Sequence, residues 1–229
     1  THRIRPSAPL LCVLPGSRAH EVRAMLPPML QAGAALRRRH AGLQLVLPAA
    51  DGVRNIVDEV VAQGGGSGGG GGGGDDNDER CCYTVVGADE RGGAFAASQV
   101  ALAASGTVSL ELVAAGVAQV VTYRTSLLTR WWIRYWLRPV VRHASLINIL
   151  ADRAILPELL FESCAAEPLA NAISELLEKP SRAAAQVAQA RAVAAQLRVY
   201  DGAGVEQPSS ELVARELLGF LPQGGPTAS

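Results

Sequence analysis

Two short stretches carry residue types suited to holding phosphate: Pro15-Gly16-Ser17-Arg18 and Ser105-Gly106-Thr107. Each follows an apolar run, Leu10–Leu14 or Val100–Ala104, and each precedes a segment of helical character. The first turn of a helix leaves N–H groups unpaired and carries a partial positive charge, so it favours an anion. Arg18 adds a guanidinium that can hold two phosphate oxygens at once. That makes it the candidate catalytic residue, offsetting the charge that builds on a departing diphosphate. Its plain alternative is an exposed arginine at a helix start, where the helix dipole disfavours a cation. Gly16 and Ser17 bring backbone and hydroxyl to the same phosphates, and they also suit an ordinary turn and N-cap. Ser105, Gly106 and Thr107 carry the same double reading. Glu111, four residues after Thr107 and set among Leu110, Leu112 and Val113, can accept hydrogen bonds from ribose hydroxyls. A surface glutamate favoured by the helix dipole is its ordinary reading. Together these residues describe a clamp for a nucleoside diphosphate that carries a sugar.

The elements that must position them follow from hydrophobic patterning. Strand-like runs at Leu10–Leu14, Leu43–Leu47, Tyr83–Val86, Val100–Ala104 and Ala118–Tyr123 alternate with helical segments at Glu21–Arg39, Val53–Gln63 and Thr107–Ala115 and with a short turn or helix at Gly93–Ser98. Pro27-Pro28 predicts a kink in the first helix, and Gly116 is a C-cap for the helix before it. Beyond Tyr123 the chain reads as helical: Leu127–Leu137, Pro157–Phe161, Pro168–Glu178, Ser181–Leu197 and Ser209–Leu221. Five strands alternating with helices predict an α/β fold, an open, Rossmann-like parallel sheet flanked by helices, with a helical C-terminal region. Ligands bind such sheets beyond the carboxyl ends of the strands, where both loops fall.

The 229 residues are 48% hydrophobic, enough for one sizeable domain with appendages. Charge is balanced at 21 basic and 21 acidic residues, so no global charge points to nucleic acid. Residues 64–79 are a glycine tract broken by Ser67 and followed by Asp75-Asp76-Asn77-Asp78-Glu79. A tract with so few side chains cannot bury a core, and it reads as a disordered insertion in a surface connection. Cys12, Cys81, Cys82 and Cys164 show neither metal spacing nor a disulfide framework. No metal and no cofactor are expected, which leaves the clamp itself to supply positive charge. No apolar run reaches the length needed to cross a bilayer.

All three tryptophans lie in Arg130-Trp131-Trp132-Ile133-Arg134-Tyr135-Trp136-Leu137-Arg138. At about 100° per residue, Arg130, Arg134 and Arg138 form one stripe, and Trp131, Trp132, Tyr135 and Trp136 occupy most of the rest. Arginines and aromatic rings on one short helix suit the headgroup layer of a membrane. A helix packed between domains with solvated arginines is the competing reading.

Leu14-Pro15-Gly16-Ser17-Arg18 with Glu21-Val22 and Leu26-Pro27 resembles the opening of the C-terminal half of lipid-A-disaccharide synthases. The resemblance continues through Ala104-Ser105-Gly106-Thr107 with Leu110-Glu111, through Ser145–Ala151, and through Leu156-Pro157-Glu158-Leu159-Leu160. It runs in order from about Leu10 to Leu221 apart from the glycine insertion. The family usually has Pro where Ile147 stands and Gly where Asp152 stands, and Asp152 brings a negative charge toward the expected diphosphate. The resemblance implies one half of a GT-B glycosyltransferase fold. The implied reaction transfers 2,3-diacylglucosamine from UDP to 2,3-diacylglucosamine 1-phosphate. On this resemblance Gly16, Ser17, Arg18, Ser105, Gly106, Thr107, Glu111 and Asn148 form the UDP site, with a backbone-bonding loop asparagine as the equal alternative for Asn148. The implied partners are the UDP-diacylglucosamine donor, the lipid-sugar phosphate acceptor, an N-terminal acceptor domain that this chain lacks, a membrane surface and a second copy of the chain. The implied location is peripheral, on the cytoplasmic face of a membrane, or in an organelle if the source is eukaryotic. A UDP-sugar 2-epimerase of the same fold, and a nucleotide-sugar-binding remnant without activity, are the alternatives.

Overall fold

The computed structural model describes residues 8–64, 83–124, 143–197, 199–200 and 206–207. The elements run β1 (Leu10–Leu14), α1 (Ala19–Arg39), β2 (Gln44–Pro48), α2 (Arg54–Gly64), β3 (Tyr83–Val86), α3 (Arg91–Ala97), β4 (Val100–Ala104), α4 (Val108–Ala115) and β5 (Ala118–Tyr123). After these come α5 (Leu146–Ala151), β6 (Glu158–Leu160), α6 (Ala166–Glu178) and α7 (Pro180–Ala194). Short 3-10 turns at Asp51–Val53, Phe161–Ser163 and Ala195–Leu197 lead into or out of helices, and Val199–Tyr200 pairs with Glu206–Gln207 apart from the main sheet.

The main sheet has six strands in the order β3-β2-β1-β4-β5-β6, all parallel. β1 and β4 are buried at every position, as a parallel sheet covered on both faces requires. Successive side chains point to opposite faces, and the core divides accordingly. Leu11, Val13, Leu45, Leu47, Val100 and Leu102 pack with α1, α2 and α6. Leu10, Cys12, Leu14, Val46, Ala101 and Ala103 pack on the other face with Phe95 of α3 and Leu112 of α4. A smaller cluster joins Val121 to Ile147, Leu156, Ala190 and Val193.

α1 buries Val22, Met25, Leu26, Met29, Ala32 and Leu36, one stripe at helical spacing. It runs unbroken through Pro27 and Pro28. Each proline removes a backbone donor, and burial of the stripe outweighs that loss. Gly33 permits a close approach: a Cβ there would lie 2.3 Å from Leu45 Cδ2. α4 ends at Gly116 in the left-handed region, φ 80°, as a C-cap glycine should. Arg191 of α7 donates to the carbonyls of Val113 and Ala114 at 3.2 and 3.3 Å, placing a cation at the negative end of α4.

One sequence expectation is corrected. Pro157–Phe161 is not a helix, because Glu158–Leu160 forms β6 on the edge of the sheet, in register with Val121–Tyr123. A three-residue run carries no readable period, and pairing with β5 decides its conformation. The tract at 65–79, the aromatic and arginine segment at 130–138 and the helix expected at Ser209–Leu221 lie outside the described residues.

Candidate functional site: a cleft at the carboxyl ends of β1 and β4

β1 and β4 are neighbours, with Leu14 in register with Ala103. Their exits therefore lie side by side, and this is the point where strand order reverses direction. A cleft of about 370 Å³ opens there. It is lined by Gly16, Ser17 and Arg18 from the first loop and by Ser105, Gly106, Thr107 and Glu111 from the second. Glu21, Arg91 and the turn Pro48–Ala50 complete it.

The first loop turns on Gly16, whose φ of 113° is costly for any residue with a Cβ. The Ser17 and Arg18 amides both donate to Glu21 Oε2 at 3.2 Å, and Arg18 Nη1 lies 3.4 Å from Glu21 Oε1. The Arg18 side chain is 73% exposed, so it stands in the cleft mouth rather than against the core. His20 is exposed and does not line the cleft.

In the second loop the Ser105 amide donates to the Thr122 carbonyl at 2.9 Å. Its hydroxyl donates to the Ala144 carbonyl at 2.7 Å. Ser105 is thus committed to tying β4 to the chain before α5. Gly106 and Thr107 are exposed at the rim. Thr107 stands at the N-cap position of α4, yet its side chain makes no cap hydrogen bond. Glu111 faces the cleft from the first turn of α4, where its Oε2 lies 2.9 Å from Nη2 of Arg91. Arg91 has no counterpart in the sequence reading, because the pairing joins two helices 20 residues apart.

Asn148 makes the backbone hydrogen bonds of its alternative reading. It is fully buried on α5 and does not line the cleft. Its Nδ2 donates to the Leu156 carbonyl and to Glu158 Oε1, each at 2.8 Å. Its Oδ1 accepts from the amides of Ile155 and Leu156 at 2.8 and 2.9 Å. Both donors and both acceptor sites are used, so none is left for a ligand in this structure. Glu158 also accepts from the amides of Ala144 and Ser145 at 3.0 and 2.8 Å. A chain of contacts therefore runs from β6 through Glu158 and Ala144 to Ser105 at the rim. Ile147 is buried in the core, and Asp152 takes a left-handed C-cap, φ 47°. That backbone explains why glycine suits position 152, and Asp152 stands outside the cleft lining.

A second polar cluster joins His40, Ser174 and Glu178 between α1 and α6, with His40 Nε2 to Ser174 Oγ at 2.6 Å and Ser174 Oγ to Glu178 Oε1 at 2.8 Å. Here serine lies between histidine and glutamate, whereas hydrolytic triads place histidine in the middle. The cluster ties two helices together. Among the described residues, no group of three or more His, Cys, Asp or Glu could hold a metal ion.

The fold finds counterparts among solved structures. The crystal structure of WaaG, a glycosyltransferase involved in lipopolysaccharide biosynthesis, matches 97% of this chain and 49% of its own at a TM-score of 0.56 and 16% identity. The spinosyn rhamnosyltransferase SpnG complexed with thymidine diphosphate matches 94% of this chain and 46% of its own, at a TM-score of 0.53 and 15% identity. A UDP co-structure of MnaA from S. aureus matches 97% of this chain and 49% of its own, at a TM-score of 0.53 and 14% identity. The class is therefore an α/β unit equivalent to half of a GT-B glycosyltransferase fold.

Sequence comparison narrows the class. A family model described as Lipid-A-disaccharide synthetase matches residues 75–207. The chain belongs to this family. A lipid-A-disaccharide synthase of Rhodospirillum centenum is 38% identical over 186 residues, covering 81% of this chain and 42% of that protein. One of Paramagnetospirillum magneticum is 35% identical over 223 residues, covering 97% and 52%. A probable mitochondrial lipid-A-disaccharide synthase of Arabidopsis thaliana is 34% identical over 176 residues, covering 77% and 36%. The chain spans about half the length of the curated relatives it matches, and the epimerase alternative is not favoured.

Proposed function

We propose that the cleft binds the UDP moiety of a UDP-linked acylated sugar and that the chain is the donor-binding half of a lipid-A-disaccharide synthase. The observation that carries this reading is the convergence of Gly16-Ser17-Arg18 and Gly106-Thr107 on one cleft, at adjacent strand ends, in a member of this family. The ends of α1 and α4 take the diphosphate and Glu111 takes the ribose hydroxyls. An acceptor hydroxyl of 2,3-diacylglucosamine 1-phosphate attacks the anomeric carbon of the 2,3-diacylglucosamine unit from the face opposite UDP. The C–O bond to UDP breaks, and the bond electrons leave with the diphosphate. Arg18 and the two helix ends stabilise that charge more strongly in the transition state than in the bound donor, which lowers the barrier.

On this reading the acceptor site and the catalytic base belong to the portion of the family's length that this chain does not span. The Trp and Arg residues at 130–138 support attachment to a membrane surface, since both substrates carry acyl chains. Among the described residues, no helix is long and apolar enough to cross a membrane. The proposal therefore places the protein peripherally on the cytoplasmic face of a membrane, or in an organelle if its source is eukaryotic. A homodimer belongs to the same proposal.

The test is calorimetric titration of the chain with UDP, uridine and pyrophosphate. UDP is expected to bind, and Glu111→Gln is expected to weaken UDP while leaving pyrophosphate nearly unchanged. Absence of UDP binding, both by the chain and by the chain joined to an acceptor half of a relative, would overturn the proposal.

A further inference from the structure

We infer that Glu21 is an internal anion seated in the first phosphate site, and that it sets which anions the cleft accepts. The inference rests on the reading of the cleft as a diphosphate site and concerns a residue to which that reading gives no role. The Glu21 carboxylate accepts from the amides of Ser17 and Arg18 and lies beside the Arg18 guanidinium. These are three of the donors that the first loop offers a phosphate. The loop is shaped around the carboxylate: a Cβ on Gly16 would lie 2.5 Å from Glu21 Oε2 and 2.8 Å from Glu21 Cβ. Arg18 is 73% exposed and Glu21 19%. The acid therefore sits inside the loop while its cation stands in solvent.

The contacts are long for their type. Backbone N–H···O bonds centre at about 2.9–3.0 Å and guanidinium–carboxylate bonds at about 2.7–2.9 Å, whereas the two amide contacts are 3.2 Å and the guanidinium contact 3.4 Å. The seat is filled, but loosely. A ligand gains by entering only if it offers more than one carboxylate does. A diphosphate qualifies, with more oxygens and more charge. An anion of carboxylate type exchanges like for like and gains nothing. Glu21 is thus a specificity-determining residue that keeps weak anions out and yields to a diphosphate. Once displaced it remains a like charge near the ligand, so its presence costs affinity.

The experiment titrates wild-type and Glu21→Gln chains with UDP, pyrophosphate and uridine. Glutamine keeps the shape and removes the charge. UDP and pyrophosphate are expected to tighten by the same factor, about three- to tenfold, with uridine unchanged. A folded Glu21→Gln chain that binds pyrophosphate no more tightly than wild type overturns the inference. In the wild-type chain, the ¹³C shift of the Glu21 carboxyl should move on saturation with pyrophosphate. A shift that stays fixed while pyrophosphate binds overturns the inference whether or not the variant folds. If wild type binds neither ligand but Glu21→Gln binds both, the internal anion is confirmed. If neither chain binds either ligand, alone or joined to an acceptor half of a relative, the diphosphate reading and the inference fall together.

Discussion

Arg18 owes its place in the mouth of the cleft to the turn on Gly16, and among the described residues its guanidinium is held only by Glu21, at 3.4 Å. So exposed an ion pair is worth little to stability. Arg18→Ala is therefore expected to leave the melting temperature nearly unchanged. It should weaken UDP binding by about 1.5–3 kcal/mol, the range for a hydrogen bond to a charged group. Arg18→Lys should recover part of the loss, since an ammonium lacks the planar fork; an Arg18→Ala chain that binds UDP like wild type would refute the assignment. Cys12 shows the opposite situation. Burial pushes its thiol up from 9.0 to about 12, against a smaller lowering by Ser98, and burial raises Cys164 as well. Above pH 9 the unfolded chain gives up a thiol proton that the native chain keeps, so stability should fall as pH climbs from about 9 toward 12. Urea midpoints at pH 7.5, 9 and 10.5 should show a shallower decline for Cys12→Ala than for wild type. At this scale the two cleft-lining loops were legible because each is one short run beside its own helix. Glu21 and Arg91 were not, since their roles depend on what faces them. Asn148 was open between a ligand contact and backbone bonding, and its bonds to Leu156 and Glu158 fall on the second, with partners that nothing in the local run around it marks.

Among the elements, the junction of α4 and α7 carries a sharp expectation. Gly116 holds φ 80°, and a Cβ there would lie 2.5 Å from Arg191 Nη2. Gly116→Ala should therefore cost about 1–2 kcal/mol for the left-handed backbone alone. It should cost more if Arg191 is forced off its carbonyls. Comparison with Arg191→Ala by denaturant unfolding separates the two contributions. Glu158 is the corresponding point for β6 and α5. Glu158→Ala leaves the Ala144 and Ser145 amides and Asn148 Nδ2 without their carboxylate, and about 1–3 kcal/mol of stability should be lost. UDP affinity should also fall, because the Ser105 anchor on Ala144 loosens. Affinity unchanged in a folded Glu158→Ala chain would show that this network does not support the cleft. β3, β4 and β5 were readable to the residue because apolar runs of four to six residues between turn signals fit buried parallel strands. β6 was hidden because an edge strand of three half-buried residues, Glu158–Leu160, carries only the pattern its neighbour imposes.

For the whole molecule, alternation of strands and helices was enough to predict an open parallel sheet, but not the order β3-β2-β1-β4-β5-β6 or the return of α6 onto α1. Order arises from crossovers, and crossover handedness is a rule of folds rather than of local sequence. The proposed attachment to a membrane also belongs to this scale. Replacing Trp131, Trp132 and Trp136 with Ser is expected to reduce sedimentation with anionic liposomes while UDP binding persists. Unchanged sedimentation would assign those rings to packing.

The parallel sheet gives the molecule a direction. Strand exits, and with them the cleft, gather at one edge, while helices return the chain to the other. α2 ends at Gly64 and β3 starts at Tyr83, so the long glycine and acidic tract is attached at the returning edge. Gly64 and Tyr83 therefore mark where the chain leaves and rejoins the fold, at the end opposite the strand exits. A fluorophore or an affinity handle introduced between Gly64 and Tyr83 is consequently tethered at the end of the sheet opposite the cleft.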